Sequence, residues 1–146
     1  MNYSALQKAM LQRESSGDYR AINDLHYAGG YQFGALALED RGLLKPGTGR
    51  QGNRTAMNNP DNWTGRGGAT DLDSFLANEA LQDQLFVEHH KANRRELTRK
   101  GFFTENTSEE DKVAFTNAAH LIGATKLIED GLESEDANGT LGREYF

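Results

Sequence analysis

The distribution of helix breakers constrains this chain more than any other feature of its sequence. Both prolines, Pro46 and Pro60, fall between residues 45 and 68, where Gly, Asn and Thr are frequent and apolar residues have no regular spacing. Such a composition predicts a long loop, and long loops inside compact domains are usually functional or mobile. Helices are therefore expected on either side of this segment, and Trp63 is expected to anchor it.

Apolar residues recur at helical spacing both before and after that loop. The first predicted helix is capped by Ser4 and ends at Ser15-Ser16-Gly17, where Gly17 can adopt the left-handed conformation. Ser108 and Asp111 form an imperfect capping box before the helix that leads towards Leu121. The predicted helices cover residues 4–14, 32–41, 71–77, 79–97, 108–121 and 125–130. A short irregular hairpin is expected near residues 18–31, which makes the expected fold class mainly α.

Length and charge exclude several classes of protein. The 146 residues are enough for one domain, 1–146, with its own core, and the chain has no cysteine for disulfides. A net charge of −6 disfavours non-specific binding to nucleic acid. No run of about 18 apolar residues is present, so no membrane span is expected. The N-terminus lacks the basic and apolar segments of a secretory signal.

Glu14 is the residue whose position best suggests a chemical role. It falls in the last turn of the predicted first helix, with Met10 and Leu6 one and two turns before it. A carboxyl group at a helix C-terminus, partly enclosed by apolar side chains, has a raised pKa because burial and the helix dipole both disfavour the anion. Glycosidic cleavage needs such a proton donor near neutral pH. A Glu at a helix end is usually a solvated surface residue, so its sequence context decides between the two interpretations.

That context resembles a known superfamily. The segments Arg13-Glu14-Ser15-Ser16-Gly17-Asp18-Tyr19 and Tyr27-Ala28-Gly29-Gly30-Tyr31-Gln32-Phe33-Gly34 resemble the paired motifs of the lytic transglycosylase and lysozyme-like superfamily. In that superfamily a Glu-Ser element ends the first long helix, and a Gly–aromatic–Gln element lies across the cleft. Residues 62–65 and 75–78 resemble the middle segment of phage-associated and secretion-system-associated members, and residues 118–124 with 136–140 resemble their C-terminal signature.

The resemblance implies a lysozyme-like α+β domain with a glycan-binding cleft between the 4–14 helix and the C-terminal helices. It implies a peptidoglycan hydrolase that cleaves the MurNAc–GlcNAc β-1,4 bond with Glu14 as general acid/base. The substrate contacts it implies are Ser16, Tyr31, Gln32 and His120. The residues alone are also compatible with a turn-packing aromatic at Tyr31, a capping amide at Gln32 and a core histidine at His120.

No metal or organic cofactor is expected for this activity. The chain lacks cysteine, and the adjacent His89 and His90 point to different parts of a helix, so neither residue type suggests a zinc site. The expected partners are peptidoglycan glycan strands, with a delivery apparatus or an inhibitor protein as further candidates. The expected place of action is the bacterial cell wall in the periplasm, reached through a virion, a holin or a secretion machine.

Two alternatives stay open at the level of sequence. A muramidase uses a second carboxylate, for which Asp24 is the candidate, whereas a lytic transglycosylase needs only one Glu. Asp24 is equally compatible with a plain turn residue beside Asn23. The rival to any enzyme is a non-catalytic peptidoglycan-binding or structural lysozyme-like module of a virion or secretion apparatus.

Overall fold

A computed structural model describes residues 2–122 of the chain, with the backbone alone at Leu121 and Ile122. Over this range the protein is mainly helical, as predicted. The α-helices are α1 (Tyr3–Ser15), α2 (Ala35–Asp40), α3 (Asn53–Asn58), α4 (Leu72–Leu76), α5 (Glu79–Arg99) and α6 (Glu109–Ile122). Short 3₁₀ helices cover Thr48–Gln51, Pro60–Asn62 and Arg66–Gly68. The helix predicted at 125–130 lies outside the described residues.

The chain divides into two compact units, Met1–Val87 and Glu88–Phe146. The core of the first unit is rich in aromatic rings, with Tyr31 stacked on Phe86 at a centroid distance of 4.6 Å. In the second unit the described core consists of small and aliphatic side chains with phenylalanines packed against them: Leu97, Ala118, Ala119, Phe102, Phe103 and Phe115. That residues 1–146 form one domain stays a prediction.

The ends of α1 follow from local capping. Asn2, and not the predicted Ser4, caps the helix, because the Asn2 side chain accepts a hydrogen bond from the amide of Ala5 at 3.2 Å. At the other end Ser16 and Gly17 both adopt the left-handed conformation, with φ of 55° and 84°. The predicted stop at this turn is confirmed, and Glu14 lies in the last turn of α1.

The segment between α1 and α2 is irregular. Single antiparallel bridges join Ile22 to Ala28 and Ala28 to Phe33, where a hairpin was expected. The prediction that a helix begins at Gln32 is wrong. Gln32 has a φ of 54°, and its backbone amide donates to the carbonyl of Gly29 at 3.1 Å. Helix α2 begins only after Gly34.

The segment 45–68 has more regular structure than the sequence predicted. It contains α3 and the three 3₁₀ helices, because clustered Gly, Asn and Pro residues favour short turns that periodicity does not detect. Trp63 anchors it as expected. The indole is 5% exposed, and its Nε1 donates to the carbonyl of Met57 at 2.9 Å.

The later helices begin at side-chain caps. Asp71 and Ser74 form a reciprocal capping box at the start of α4. At the start of α6 the hydroxyl of Ser108 accepts a hydrogen bond from the amide of Asp111 at 3.1 Å.

No helix between residues 2 and 122 combines the length and the apolar character needed to cross a bilayer.

Candidate active site around Glu14

Glu14 is half-buried at the end of α1, and a tightly bonded turn follows it. The carbonyl of Leu11 accepts hydrogen bonds from the amide of Gly17 at 3.0 Å and from the hydroxyl of Ser15 at 3.1 Å. The amide of Asp18 then donates to the carbonyl of Ser15 at 3.1 Å. The backbone that carries Glu14 is therefore fixed on its C-terminal side.

The Gly29-Gly30 turn packs against this end of α1. A β-carbon added to Gly30 would lie 2.5 Å from Cδ2 of Leu11 and 3.3 Å from Cδ1 of Tyr19. Leu11 precedes Glu14 by less than one helical turn, and Tyr19 follows the turn after it. The structure therefore brings together the two segments that sequence resemblance paired.

Gln82 of α5 holds these segments in place. Its side chain is completely buried, and its Oε1 accepts a hydrogen bond from the amide of Gly30 at 2.8 Å. Its Nε2 donates to the carbonyls of Tyr19 and Phe75, both at 3.1 Å. A buried amide with both ends bonded cross-links three segments and leaves no desolvated polar group uncompensated.

Asp83, the next residue of α5, binds two tyrosine hydroxyls. The hydroxyls of Tyr19 and Tyr31 each donate to Oδ1 of Asp83 at 2.7 Å. Burial, and then the hydrogen bond to Asp83, raise the pKa of Tyr19 to about 12 and also raise the pKa of Tyr31. Both phenols are consequently neutral donors throughout the physiological range of pH.

Two of the predicted glycan contacts are placed in the core. The ring of Tyr31 is completely buried, and Gln32 is only 5% exposed, with its Nε2 donating to the carbonyl of Gly29 at 3.0 Å. Both side chains lie inside the turn and shape it, and their role in lining a glycan cleft stays a prediction. Ser16 is exposed beside Glu14 and stays a predicted contact.

Asp24 is exposed at the tip of a turn. The side chain of Asn23 shapes this turn, since its Oδ1 accepts hydrogen bonds from the amides of Leu25 at 3.1 Å and Tyr27 at 2.9 Å. Asp24 has the position of a plain turn residue, and its role as a second carboxylate stays a prediction.

His120 belongs to the second unit, where it is 7% exposed. Its ring lies edge-on to that of His89, with a centroid distance of 5.4 Å. His90 is also buried, and burial, followed by the proximity of His120 and Arg94, lowers its pKa to about 4. His120 is thus one of the three buried histidines of the second unit, and its contact with a glycan stays a prediction.

Gln82 and Asp83 are the residues that sequence reasoning missed. A signal was available for Gln82, which precedes Leu85 by three positions and Phe86 by four and so shares the buried face of α5. A polar residue in that register indicates a buried hydrogen-bonding role. No comparable pattern marks Asp83, whose partners come from other segments.

Comparison with family models, with curated proteins and with solved structures yields no match for this chain. The interpretation of the site therefore depends on its own chemistry. A half-buried carboxyl at a helix end, on backbone fixed from both sides, is suited to proton transfer at a defined position.

Proposed function

We propose that the chain is a peptidoglycan glycosidase that cleaves the MurNAc–GlcNAc β-1,4 bond with Glu14 as general acid/base. A lysozyme-like α+β fold is part of this proposal. The packing of Gly30 on Leu11 and Tyr19 supports it most, because it places the two motifs of the resemblance next to each other. An acid that acts at one bond must be held in a fixed position, and this packing fixes the backbone around Glu14.

In the proposed reaction the protonated carboxyl of Glu14 gives its proton to the glycosidic oxygen as the bond from that oxygen to the anomeric carbon breaks. The anomeric carbon passes through an oxocarbenium-like state. The Glu14 carboxylate then takes a proton from the attacking group. If that group is the muramyl 6-hydroxyl, the product has a 1,6-anhydro ring; if it is water, the product has a reducing end.

The partners and the place of action belong to the same proposal. Glycan strands of the bacterial cell wall are the substrate, and a virion, holin or secretion machine delivers the protein to the periplasm. A cognate inhibitor protein is a further candidate partner.

The burial of Tyr31 and Gln32 favours a second candidate function. An enzyme needs exposed groups that align its substrate, and these two side chains of the first unit face inward. A non-catalytic peptidoglycan-binding or structural lysozyme-like module, in a virion or secretion apparatus, needs fewer such contacts.

Digestion of purified peptidoglycan sacculi, followed by mass spectrometry of the soluble products, tests the proposal. Wild-type protein should release muropeptides, and Glu14→Gln should lower the rate by about 10³-fold or more, within the range for general acid catalysis. Glu105→Gln is the matched control, because Glu105 is exposed and lies in the second unit. Thermal unfolding must show that each variant is folded.

The outcomes separate the candidates. Anhydro products identify a transglycosylase, and reducing ends identify a muramidase. Binding of folded wild-type protein to sacculi without release of products favours the non-catalytic module. A folded Glu14→Gln variant that keeps more than about a tenth of the wild-type rate shows that Glu14 is not the acid.

A further inference from the structure

We propose that Asp83 is a positioning residue of the site around Glu14, an inference that rests on the proposed function. Asp83 acts through other residues, by fixing the turn after Glu14 and the Gly29–Gln32 turn relative to each other. The proposal concerns how accurately Glu14 is placed, and Asp83 itself has no contact with substrate in it.

Three separate segments of the first unit converge on Asp83. Its Oδ1 accepts the hydroxyls of Tyr19 and Tyr31, each at 2.7 Å. Its backbone carbonyl accepts a hydrogen bond from Nε2 of Gln7 in α1 at 3.2 Å. One residue of α5 therefore binds α1, the segment that follows α1, and the aromatic–Gln segment.

The chemistry favours a carboxylate at this position. A single anionic oxygen can accept two hydroxyl donors, and hydrogen bonds to an ionised acceptor are shorter and stronger than bonds between neutral groups. The distances to Tyr19 and Tyr31 are consistent with such bonds. An apolar residue at position 83 would leave both hydroxyls without this acceptor, whereas an Asn would keep one carbonyl oxygen but lose the charge.

The effect reaches Glu14 through Tyr19 and Gly30. Tyr19 directly follows the bonded turn from Ser15 to Asp18, and Gly30 packs on both Tyr19 and Leu11. Loss of the Asp83 carboxylate removes the hydrogen bonds that hold the hydroxyls of Tyr19 and Tyr31 to α5, without removing the apolar core beneath them. Catalysis is sensitive to such changes, because a displacement of about 1 Å can cost about 10²-fold in rate.

The test compares Asp83→Asn, Asp83→Leu, Tyr19→Phe and Tyr31→Phe on a soluble glycan fragment of defined length. We expect kcat to fall about tenfold for Asp83→Asn and about 10²-fold for Asp83→Leu, with KM within a factor of two. Asn thus gives partial rescue as the conservative replacement. Asp61→Asn is the matched control, because Asp61 is exposed in the 3₁₀ helix Pro60–Asn62, and it should leave both constants unchanged.

A double-mutant cycle and a measurement independent of activity complete the test. Tyr19→Phe should cause a smaller loss in the Asp83→Leu background than in wild type, because the hydrogen bond from its hydroxyl to Asp83 is already absent there. In NMR spectra, Asp83→Leu should shift the amide signals of residues 15–18 and 29–32, and Asp61→Asn should not. An Asp83→Leu variant that keeps kcat within a factor of two of wild type would overturn the proposal.

The NMR measurement also separates this proposal from the proposed function. If folded wild-type protein has no glycosidase activity, or if Glu14→Gln is fully active, the proposed function fails. In that case, Asp83 still fixes the two turns if Asp83→Leu shifts the amide signals of both turns. If the shifts are confined to Gln7, Tyr19 and Tyr31, the direct partners of Asp83, its positioning role fails too.

Discussion

Gly30 lies so close to Leu11 that a β-carbon added to Gly30 would be 2.5 Å from Cδ2 of Leu11. Real β-carbons do not approach other heavy atoms at that distance, so one of the two residues would have to move. The amide of Gly30 is at the same time bonded to Oε1 of Gln82 at 2.8 Å, which prevents the turn from moving away. A side chain at position 30 therefore has little space between Leu11 of α1 and Gln82 of α5.

We expect Gly30→Ala to lower the free energy of unfolding by about 1–3 kcal/mol, the usual cost of overpacking. Urea denaturation measures it. In the Leu11→Ala background the same change should cost less, because the clashing methyl group is gone. Gly17→Ala is the control for backbone strain alone, since Gly17 has a φ of 84° and open space around its α-carbon. Equal costs of Gly30→Ala in both backgrounds would contradict the proposed clash.

Trp63 should be among the most costly residues to truncate. Trp63→Ala removes a buried indole that lies 5.7 Å from the ring of Phe75 and bonds to the carbonyl of Met57, so we expect a loss of about 3–5 kcal/mol. Leu36→Ala is the control, because Leu36 is 62% exposed and should cost less than about 0.5 kcal/mol. Chemical denaturation measures the free energy of unfolding of both variants. Equal losses for Trp63→Ala and Leu36→Ala would refute the anchoring role of Trp63.

His90 makes stability dependent on pH. Its pKa is about 4 in the folded protein, against 6.5 for an ordinary histidine, because burial and the nearby His120 and Arg94 disfavour its cation. Between these values the unfolded chain binds a proton that the folded protein does not. The contribution of His90 is therefore complete above pH 6.5 and is lost as pH falls towards 4, by about 3 kcal/mol at most.

To test the His90 prediction, the free energy of unfolding is measured over pH 4 to 8 for wild type and for His90→Leu, and the two curves are subtracted. The difference isolates His90 from the carboxylates, which titrate in both proteins. If the free energy of unfolding has the same slope in both profiles between pH 4 and 6.5, His90 binds its proton equally well in the folded protein and in the unfolded chain. That result would contradict the prediction.

The sequence predicted the features of the fold that depend on local residues. The end of α1 is one, because Ser16 and Gly17 determine it by their own conformations. The start of α2 was not predicted. Gln32 belongs to the Gly29–Gln32 turn, where its backbone amide donates to the carbonyl of Gly29, and the shape of that turn depends on residues far away in sequence. The helices within 45–68 were missed because their Gly, Asn and Pro residues form turns that apolar periodicity cannot reveal.

For the candidate site, sequence placed Glu14 at a helix end and paired the two surrounding segments. It could not predict which side chains of those segments face inward. The resemblance predicts Tyr31 as a glycan contact, and in the structure its hydroxyl binds Asp83, which lies 52 positions away in sequence. Such a pairing is a property of the tertiary structure and leaves no periodic trace in either segment.

Asp24→Asn discriminates between the two proposed chemistries of Glu14. If Asp24 is only an exposed turn residue, the turn should persist, because Asn23 supplies the hydrogen bonds to Leu25 and Tyr27 that shape it. A transglycosylase should then lose less than about threefold in rate, since its single Glu acts as both acid and base. A muramidase that uses Asp24 should lose about 10²-fold or more, comparable with Glu14→Gln. Rates on sacculi, measured beside Asn23→Ala as a control for distortion of the turn, decide between them. A severe loss in Asp24→Asn together with anhydro products would contradict both schemes.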